Sequence, residues 1–262
     1  MNAHALDLDA LSEAALVAAL AGGEVVLAGF GRAGREVRTK GPGDWVSAVD
    51  HDSENAIRRV LESTGFPVFG EERGGEQTDT GWLVDPLDGT TNFLHHLEAV
   101  GVSIALCVED VPMVGVVHAP VMNRTYTAVL GRGARRDGEP IRVSERQPAE
   151  AVVATGFPFR RKDTLDGFIP VVRAALDEFE DLRRVGAASL DLCWTAAGVF
   201  DGYFERGLGP WDVAAGALVV TEAGGVVTDW AGDPRAWLRA GEVVAGPPAV
   251  HERLLALVKP EF

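Results

Sequence analysis

The chain has 262 residues, 47% hydrophobic and 24% charged, with a formal net charge of −15. This is an ordinary globular composition, large enough for one big domain or two small ones. Its acidity argues against a nucleic-acid partner, because backbone binders carry a positive face, and it requires that any anionic substrate meet a local cation.

Taken in chain order, MNAHALDLDALSEAALVAAL lacks a basic flank and carries Asp7, Asp9 and Glu13, so it reads as a helix over about 7–28 and not as a signal peptide. No apolar run is expected to span a bilayer, and no membrane partner is expected. Cys107 and Cys193 lie in apolar stretches and read as buried thiols in a reducing compartment, so the expected location is the cytoplasm. A second helix fits Ser53 to Ser63. Short strands follow around 67–69 and 82–85. Val100–Val108 and Met113–His118 read as strands joined by a tight EDVP turn, and Thr125–Val129 and Ile141–Val143 as strands around the turn RRDGEP. QPAEA at 147–151 is a plausible boundary between an α+β half, 1–147, and an α/β half, 148–262. Beyond it come a strand in AVVAT, a helix over Leu165–Phe179 despite Pro170, a helix over Leu190–Val199, a strand in GYFE, a helix over Trp211–Ala223, strands in GVVTD and EVVAG, and a helix over Pro248–Val258.

One motif is a decoy. GFGRAG at 29–34 matches the dinucleotide fingerprint, but EVVLA before it continues the first helix and TKGPGD after it breaks any second one. A flexible link out of the first helix is the expected reading.

The chemistry concentrates in WLVDPLDGTTNF, positions 82–93. An apolar strand ends at Asp85, Pro86 forces a turn, and Asp88 follows three residues later. Two carboxylates aimed into one space repel unless one is protonated or a cation lies between them, and hard oxygen ligands on a turn suit Mg²⁺. The Leu87 carbonyl between them is a further donor. If Asn92–Leu97 is helical, Gly89 to Thr91 expose backbone N–H groups that hold a phosphate, and Thr90 adds a hydroxyl to orient water. An aspartate-capped helix after a strand would use the same residues. Elsewhere, Glu71 and Glu72 follow Gly70, Asp50 and Asp52 sit in VSAVDHDSENAI, and Asp212 stands at a helix start, where an N-cap role is the ordinary explanation.

Together these residues resemble the inositol monophosphatase family of the lithium-sensitive, Mg²⁺-dependent phosphatase superfamily. The resemblance rests on Trp82–Phe93, on Trp211–Gly216 with Glu222–Gly225, on Gly70–Glu72, on Val46 to Asp50 and on TGFPF at 155–159. It implies a five-layer αβαβα sandwich of the inositol monophosphatase/fructose-1,6-bisphosphatase type and a homodimer. It implies that Glu71, Asp85 and the Leu87 carbonyl hold one Mg²⁺, that Asp85, Asp88 and Asp212 hold a second, and that a third sits near Glu71 through waters. Thr90 and Glu71, with Asp50 behind Thr90, would activate water for in-line attack on a phosphate monoester. Gly89 and Thr90 would hold the phosphate, and Ala188, Glu205 and Asp212 would meet the hydroxyls of a small phosphorylated polyol or sugar.

The substrate expected first is inositol 1-phosphate. Histidinol phosphate, fructose 1,6-bisphosphate and adenosine 3′,5′-bisphosphate are the alternatives within the family, and lithium inhibition is implied. For a bisphosphate, Arg160, Arg161, Lys162, Arg183 and Arg184 would have to supply a second basic pocket; solvated surface charge is the plainer reading. A more distant alternative, since some members of the family act as binding factors, is a role in transcription or RNA machinery. His95, His96 and His118 are read as structural.

Overall fold

The computed structural model describes residues 6–32, 37–41, 44–75, 78–158 and 162–259, with backbone alone for 37–41 and 44–47. The first helix, α1 (Leu8–Gly29), is capped by Asp7, whose carboxylate accepts from the Ala10 N–H at 3.1 Å. It buries Leu11, Ala15, Ala18, Ala19, Gly22, Gly23 and Val26, small residues that allow close approach to α2 (Ala48–Leu61). Both helices cover one face of a seven-stranded sheet ordered β3-β4-β5-β6-β7-β8-β9. Its strands are β3 (Val68–Gly70), β4 (Gly81–Asp88), β5 (Gly101–Val108), β6 (Val111–Ala119), β7 (Arg124–Val129), β8 (Ala134–Arg136) and β9 (Glu139–Pro140).

α1 also corrects an expectation. With 22 residues and a mean hydropathy of 1.7 it is long and apolar enough to cross a bilayer. Here its small-residue face packs on α2, β5 and β6, which makes it a core helix.

On the other face of the sheet lie α5 (Ala188–Ala196) and α6 (Pro210–Glu222). Beneath them is a five-stranded sheet ordered β11-β10-β12-β14-β13, from β10 (Val152–Thr155), β11 (Asp181–Arg183), β12 (Gly202–Arg206), β13 (Val226–Thr228) and β14 (Glu242–Gly246). α4 (Leu165–Glu178) and α8 (Pro248–Val258) cover its far side. The layers run α, β, α, β, α, as the resemblance implied. The middle layer is buried from both sides, and Val213 to Ala217 of α6 are without exposed surface wherever they are hydrophobic.

The sandwich is tightest where α6 crosses α5. A β-carbon at Gly216 would lie 2.7 Å from the Leu192 Cβ and 3.2 Å from the Ser189 carbonyl. Gly216→Val is therefore expected to cost about 1–3 kcal/mol through overpacking, read as a lower urea midpoint at unchanged slope.

Several elements depart from the expected pattern. RRDGEP is not a plain turn: it folds as the β8–β9 hairpin about Asp137 and Gly138, both in the left-handed region, and the expected strand at Ile141–Val143 is irregular. Beyond the GFGRAG stretch lies an antiparallel hairpin that was not anticipated, β1 (Val37–Gly41) with β2 (Asp44–Ser47). The second helix starts at Ala48, five residues early, and the helix expected from Leu190 begins at Ala188. β11 and the short α7 (Trp237–Ala240) were not anticipated. The EDVP turn does form, with Glu109 and Asp110 both at positive φ as a two-residue hairpin of matching twist demands. Through Gly29 the GFGRAG stretch is the end of α1, with no strand leading into it; residues 33 and 34 lie outside the described residues.

Candidate active site

Asp85 and Asp88 are three apart, so a regular strand would point them to opposite faces. The β4–β5 register shifts between them: Asp85 pairs with Ser103 and Asp88 with Gly101. Three steps on β4 therefore match two on β5, and this bulge at Pro86 turns both carboxylates to one side. Asp212 completes the group from the first turn of α6. Carboxylate oxygens of Asp85, Asp88 and Asp212 all lie within 4.8 Å of one another.

Each carboxylate is fixed by the backbone. The Leu87 N–H donates to Asp85 Oδ1 at 2.9 Å. Asp88 Oδ2 accepts from both the N–H (2.8 Å) and the hydroxyl (2.6 Å) of Ser189, so it caps the N-terminus of α5 from another element. Asp212 Oδ2 accepts from the Gly209 N–H at 2.6 Å, closing the N-terminus of α6. Asp212 is thus not the N-cap expected of it: Gly209 is the cap, and Asp212, three residues in, reaches back to it while also joining the acidic group. The β5 strand ties this end of α6 down, with the Ser103 hydroxyl donating to the Trp211 carbonyl at 3.0 Å.

Burial pushes the Asp85 carboxyl well above the usual carboxylate range, reinforced by the charges of Glu71, Asp88 and Asp212 and opposed by the Leu87 N–H. Such a cluster must take up protons or hold a cation. Its donors are all oxygens, so the residues present fit Mg²⁺. Glu71 lines the same cavity, and its N–H donates to the Val84 carbonyl at 3.0 Å, beside Asp85. Its carboxylate is not one of the three that lie mutually close.

Helix α2 is the scaffold behind the site, and it presents three fully buried polar side chains. Asp50 accepts from the Thr90 hydroxyl at 3.2 Å. Ser53 donates to the Pro86 carbonyl at 2.9 Å. Glu54 accepts from the N–H groups of Glu72 (3.0 Å) and Arg73 (3.2 Å), immediately after Glu71, and pairs with Arg58 at 2.7 Å. Asp50 was expected behind Thr90; the parts played by Ser53, Glu54 and Ser189 were missed. The signal for the first two was present, since Asp50, Ser53 and Glu54 share one helical face.

The helix after Asp88 is α3 (Thr90–Leu94), which starts two residues before the expected Asn92 and is five residues long. Gly89 is its cap at φ +86°, and a β-carbon there would meet the Ala99 carbonyl at 2.9 Å, so both conformation and space require glycine.

A cavity of about 650 Å³ opens over these groups. Glu71, Asp85, Leu87, Asp88, Gly89, Thr90, Ala188, Glu205 and Asp212, all expected from the sequence, line it, and Asp50 stands behind Thr90. Of the basic residues considered for a second phosphate, Arg184 reaches the wall, while Arg183 pairs with Asp181; Arg160 and Arg161 lie outside the described residues. Arg206, which was not anticipated, also lines the cavity, paired with Glu242 at 2.6 Å. No histidine lines it among the described residues: the His118 ring packs at Gly23 and bonds Thr125 at 2.9 Å, and His96 packs on Phe30. Both cysteines are buried, and burial raises their thiol pKa, for Cys107 to about 12, so neither is a ready nucleophile.

A five-layer sandwich with acidic side chains from β4 and α6 converging under a wide cavity defines the inositol monophosphatase class of fold and site. The chain belongs to the inositol monophosphatase family, whose model matches residues 7–261. It is similar to the Nus factor SuhB of Pseudomonas aeruginosa, 41% identical over 260 residues and 95% of each chain. Among solved structures it is similar to the extragenic suppressor protein suhB of Bartonella henselae, with a TM-score of 0.91 at 35% identity, covering 97% of this chain and 100% of that one. It is also similar to the inositol monophosphatase of Anabaena, with a TM-score of 0.87 at 32% identity, covering 98% of each.

Proposed function

We propose that the protein is a Mg²⁺-dependent phosphatase of small phosphate monoesters, with inositol 1-phosphate the preferred substrate. The observation that carries this reading is the convergence of Asp85, Asp88 and Asp212 beside the Asp50–Thr90 pair in one cavity. Asp85, the Leu87 carbonyl and Glu71 would hold one ion; Asp85, Asp88 and Asp212 a second; and a third would sit beside Glu71. When bound, the ions supply the positive charge that an acidic chain needs to hold phosphate, and they acidify water. The remaining work falls to the chain. The Thr90 hydroxyl has one hydrogen and two acceptors at 3.2 Å, Asp50 Oδ1 and the Leu87 carbonyl. The carboxylate is the stronger acceptor. Donating to it leaves the Thr90 lone pairs free to accept from a water, so the pair orients and draws a proton from the nucleophile. Glu71, which lines the same cavity, is the second group assigned this role. The N–H groups of Gly89 and Thr90 hold the phosphate, and Ala188, Glu205 and Asp212 bound the polyol side. The working form proposed is a cytoplasmic homodimer that lithium inhibits.

The test is phosphate release from inositol 1-phosphate, histidinol phosphate, fructose 1,6-bisphosphate and adenosine 3′,5′-bisphosphate, with Mg²⁺ and with a chelator. Release should be fastest from inositol 1-phosphate, stop on chelation and return with Mg²⁺; release from none of the four would refute the reading. Glu205→Ala should lower kcat/KM for inositol 1-phosphate by about 10- to 100-fold, the worth of a charged hydrogen bond, with much less loss on a simple aryl phosphate.

A second reading is favoured by the name Nus factor carried by relatives such as that of Pseudomonas aeruginosa: a binding role in transcription machinery. That name is at odds with the expectation of no nucleic-acid partner. The charge of −15 disfavours broad contact with a nucleic-acid backbone, but it says nothing of a role reached through protein contacts. Partner capture that is equal for the parent and for an inactive cavity variant would support this reading.

A further inference from the structure

Glu205 sits where β12 leaves the core. Along that strand Tyr203 and Glu205 share one face and Phe204 takes the other. Tyr203 lies in the core between the sheets, and Phe204 in the core under α4 and α8. The Tyr203 hydroxyl, on a side chain with no exposed surface, donates to Glu205 Oε2 at 2.6 Å. Burial raises the Tyr203 pKa well above its ordinary value, and the charges of Glu205 and Asp191 add to this, so the phenol keeps its proton for that bond.

The other side of the carboxylate lies over a residue that has no side chain. β10 pairs with β12 in parallel, Thr155 opposite Phe204, so Gly156 falls beside Glu205. A β-carbon at Gly156 would lie 1.8 Å from the Glu205 Cδ and Oε1, which means the carboxylate occupies the space a side chain would take. This gives a role to the glycine of TGFPF, whose neighbours Phe157 and Pro158 line the same cavity.

We propose that Tyr203 and Gly156 are positioning residues for substrate specificity: the phenol and the bare backbone fix the Glu205 carboxylate in the cavity so that it accepts hydroxyls of a polyol phosphate. This rests on the reading of the cavity as a polyol-phosphate site. A hydroxyl-reading carboxylate works by being in place before the ligand arrives, and a mobile one gives up part of each hydrogen bond to ordering.

The experiment measures binding by calorimetry for the full-length parent, Tyr203→Phe and Gly156→Ala. The probes are inositol 1-phosphate and inorganic phosphate, with Ca²⁺ in place of Mg²⁺ to slow turnover. Tyr203→Phe removes one oxygen from a buried ring and keeps its shape. Gly156→Ala needs no change of backbone, and its clash is with the end of a movable side chain. Each variant should bind inositol 1-phosphate about tenfold more weakly and inorganic phosphate within about twofold of the parent, the signature of losing a positioned hydrogen bond and not the phosphate site. Equal loss for both ligands, or loss for neither, overturns the proposal, as does a parent that binds inositol 1-phosphate no better than phosphate. A parent that binds the polyol phosphate selectively but releases no phosphate with Mg²⁺, its variants losing that selectivity, would uphold this proposal while defeating the phosphatase reading.

Discussion

Replacing Asp85 with Asn is expected to lower phosphate release by about 10³-fold or more, the equivalent of several kcal/mol of metal-borne charge stabilisation. The same change should leave the metal-free fold at least as stable as the parent. Asp85 is 1% exposed and is crowded by the charges of Glu71, Asp88 and Asp212. An amide removes that repulsion and still accepts the Leu87 N–H through its own oxygen. Without its shared carboxylate the cluster should also lose cation affinity. Melting with and without millimolar Mg²⁺ separates the effects: the parent should be stabilised by the ion and the variant should not. Near-parental turnover, or an equal gain in melting temperature on adding Mg²⁺, would show that Asp85 does not bridge the ions.

Glu54→Ala should have the largest effect on stability. Glu54 is fully buried, pairs with Arg58 and accepts the N–H groups of Glu72 and Arg73. Arg58 in turn donates to the carbonyls of Val68 (3.0 Å) and Gly74 (2.6 Å), so the pair closes the whole turn after β3. Removing the carboxylate leaves a mostly buried guanidinium and two N–H groups without their acceptor, at a cost of about 3–5 kcal/mol. The milder Glu54→Gln keeps the shape and should fold. Because the turn carries Glu71, this variant should need about 10- to 100-fold more Mg²⁺ for half-maximal activity, the usual effect of loosening a group behind a metal ligand. Denaturant unfolding and a Mg²⁺ titration check the two halves. An unchanged Mg²⁺ requirement in a destabilised protein would reduce Glu54 to a structural role.

The residues of the candidate site were legible because the chemistry is written in short local signals. The two aspartates about Pro86 announce a turn with converging carboxylates, and the bulge between Ser103 and Gly101 on the facing strand supplies it. The order of the long helices and of the longer strands, β4 to β7 in one sheet and β10, β12 and β14 in the other, followed from period and punctuation. What stayed hidden depends on contacts distant in sequence. Nothing in ASLDLC says that the Ser189 hydroxyl will meet an aspartate 101 residues earlier. Gly156 is unremarkable until β10 pairs with β12 and brings Glu205 against it. The β8–β9 hairpin was missed because its strands are only three and two residues long, too short for alternation to show. The extent of α1 was read closely, but its apolarity was underweighted because its buried stripe is mostly alanine and glycine, which pack closely without looking like a core.

The most direct measurement is the anomalous scattering of Mn²⁺ in crystals grown with that ion in place of Mg²⁺. The account predicts manganese peaks between the carboxylates of Asp85, Asp88 and Asp212, with a further peak toward Glu71, and their loss in Asp85→Asn crystals. An empty cluster at millimolar Mn²⁺, in protein that folds as described, would contradict it.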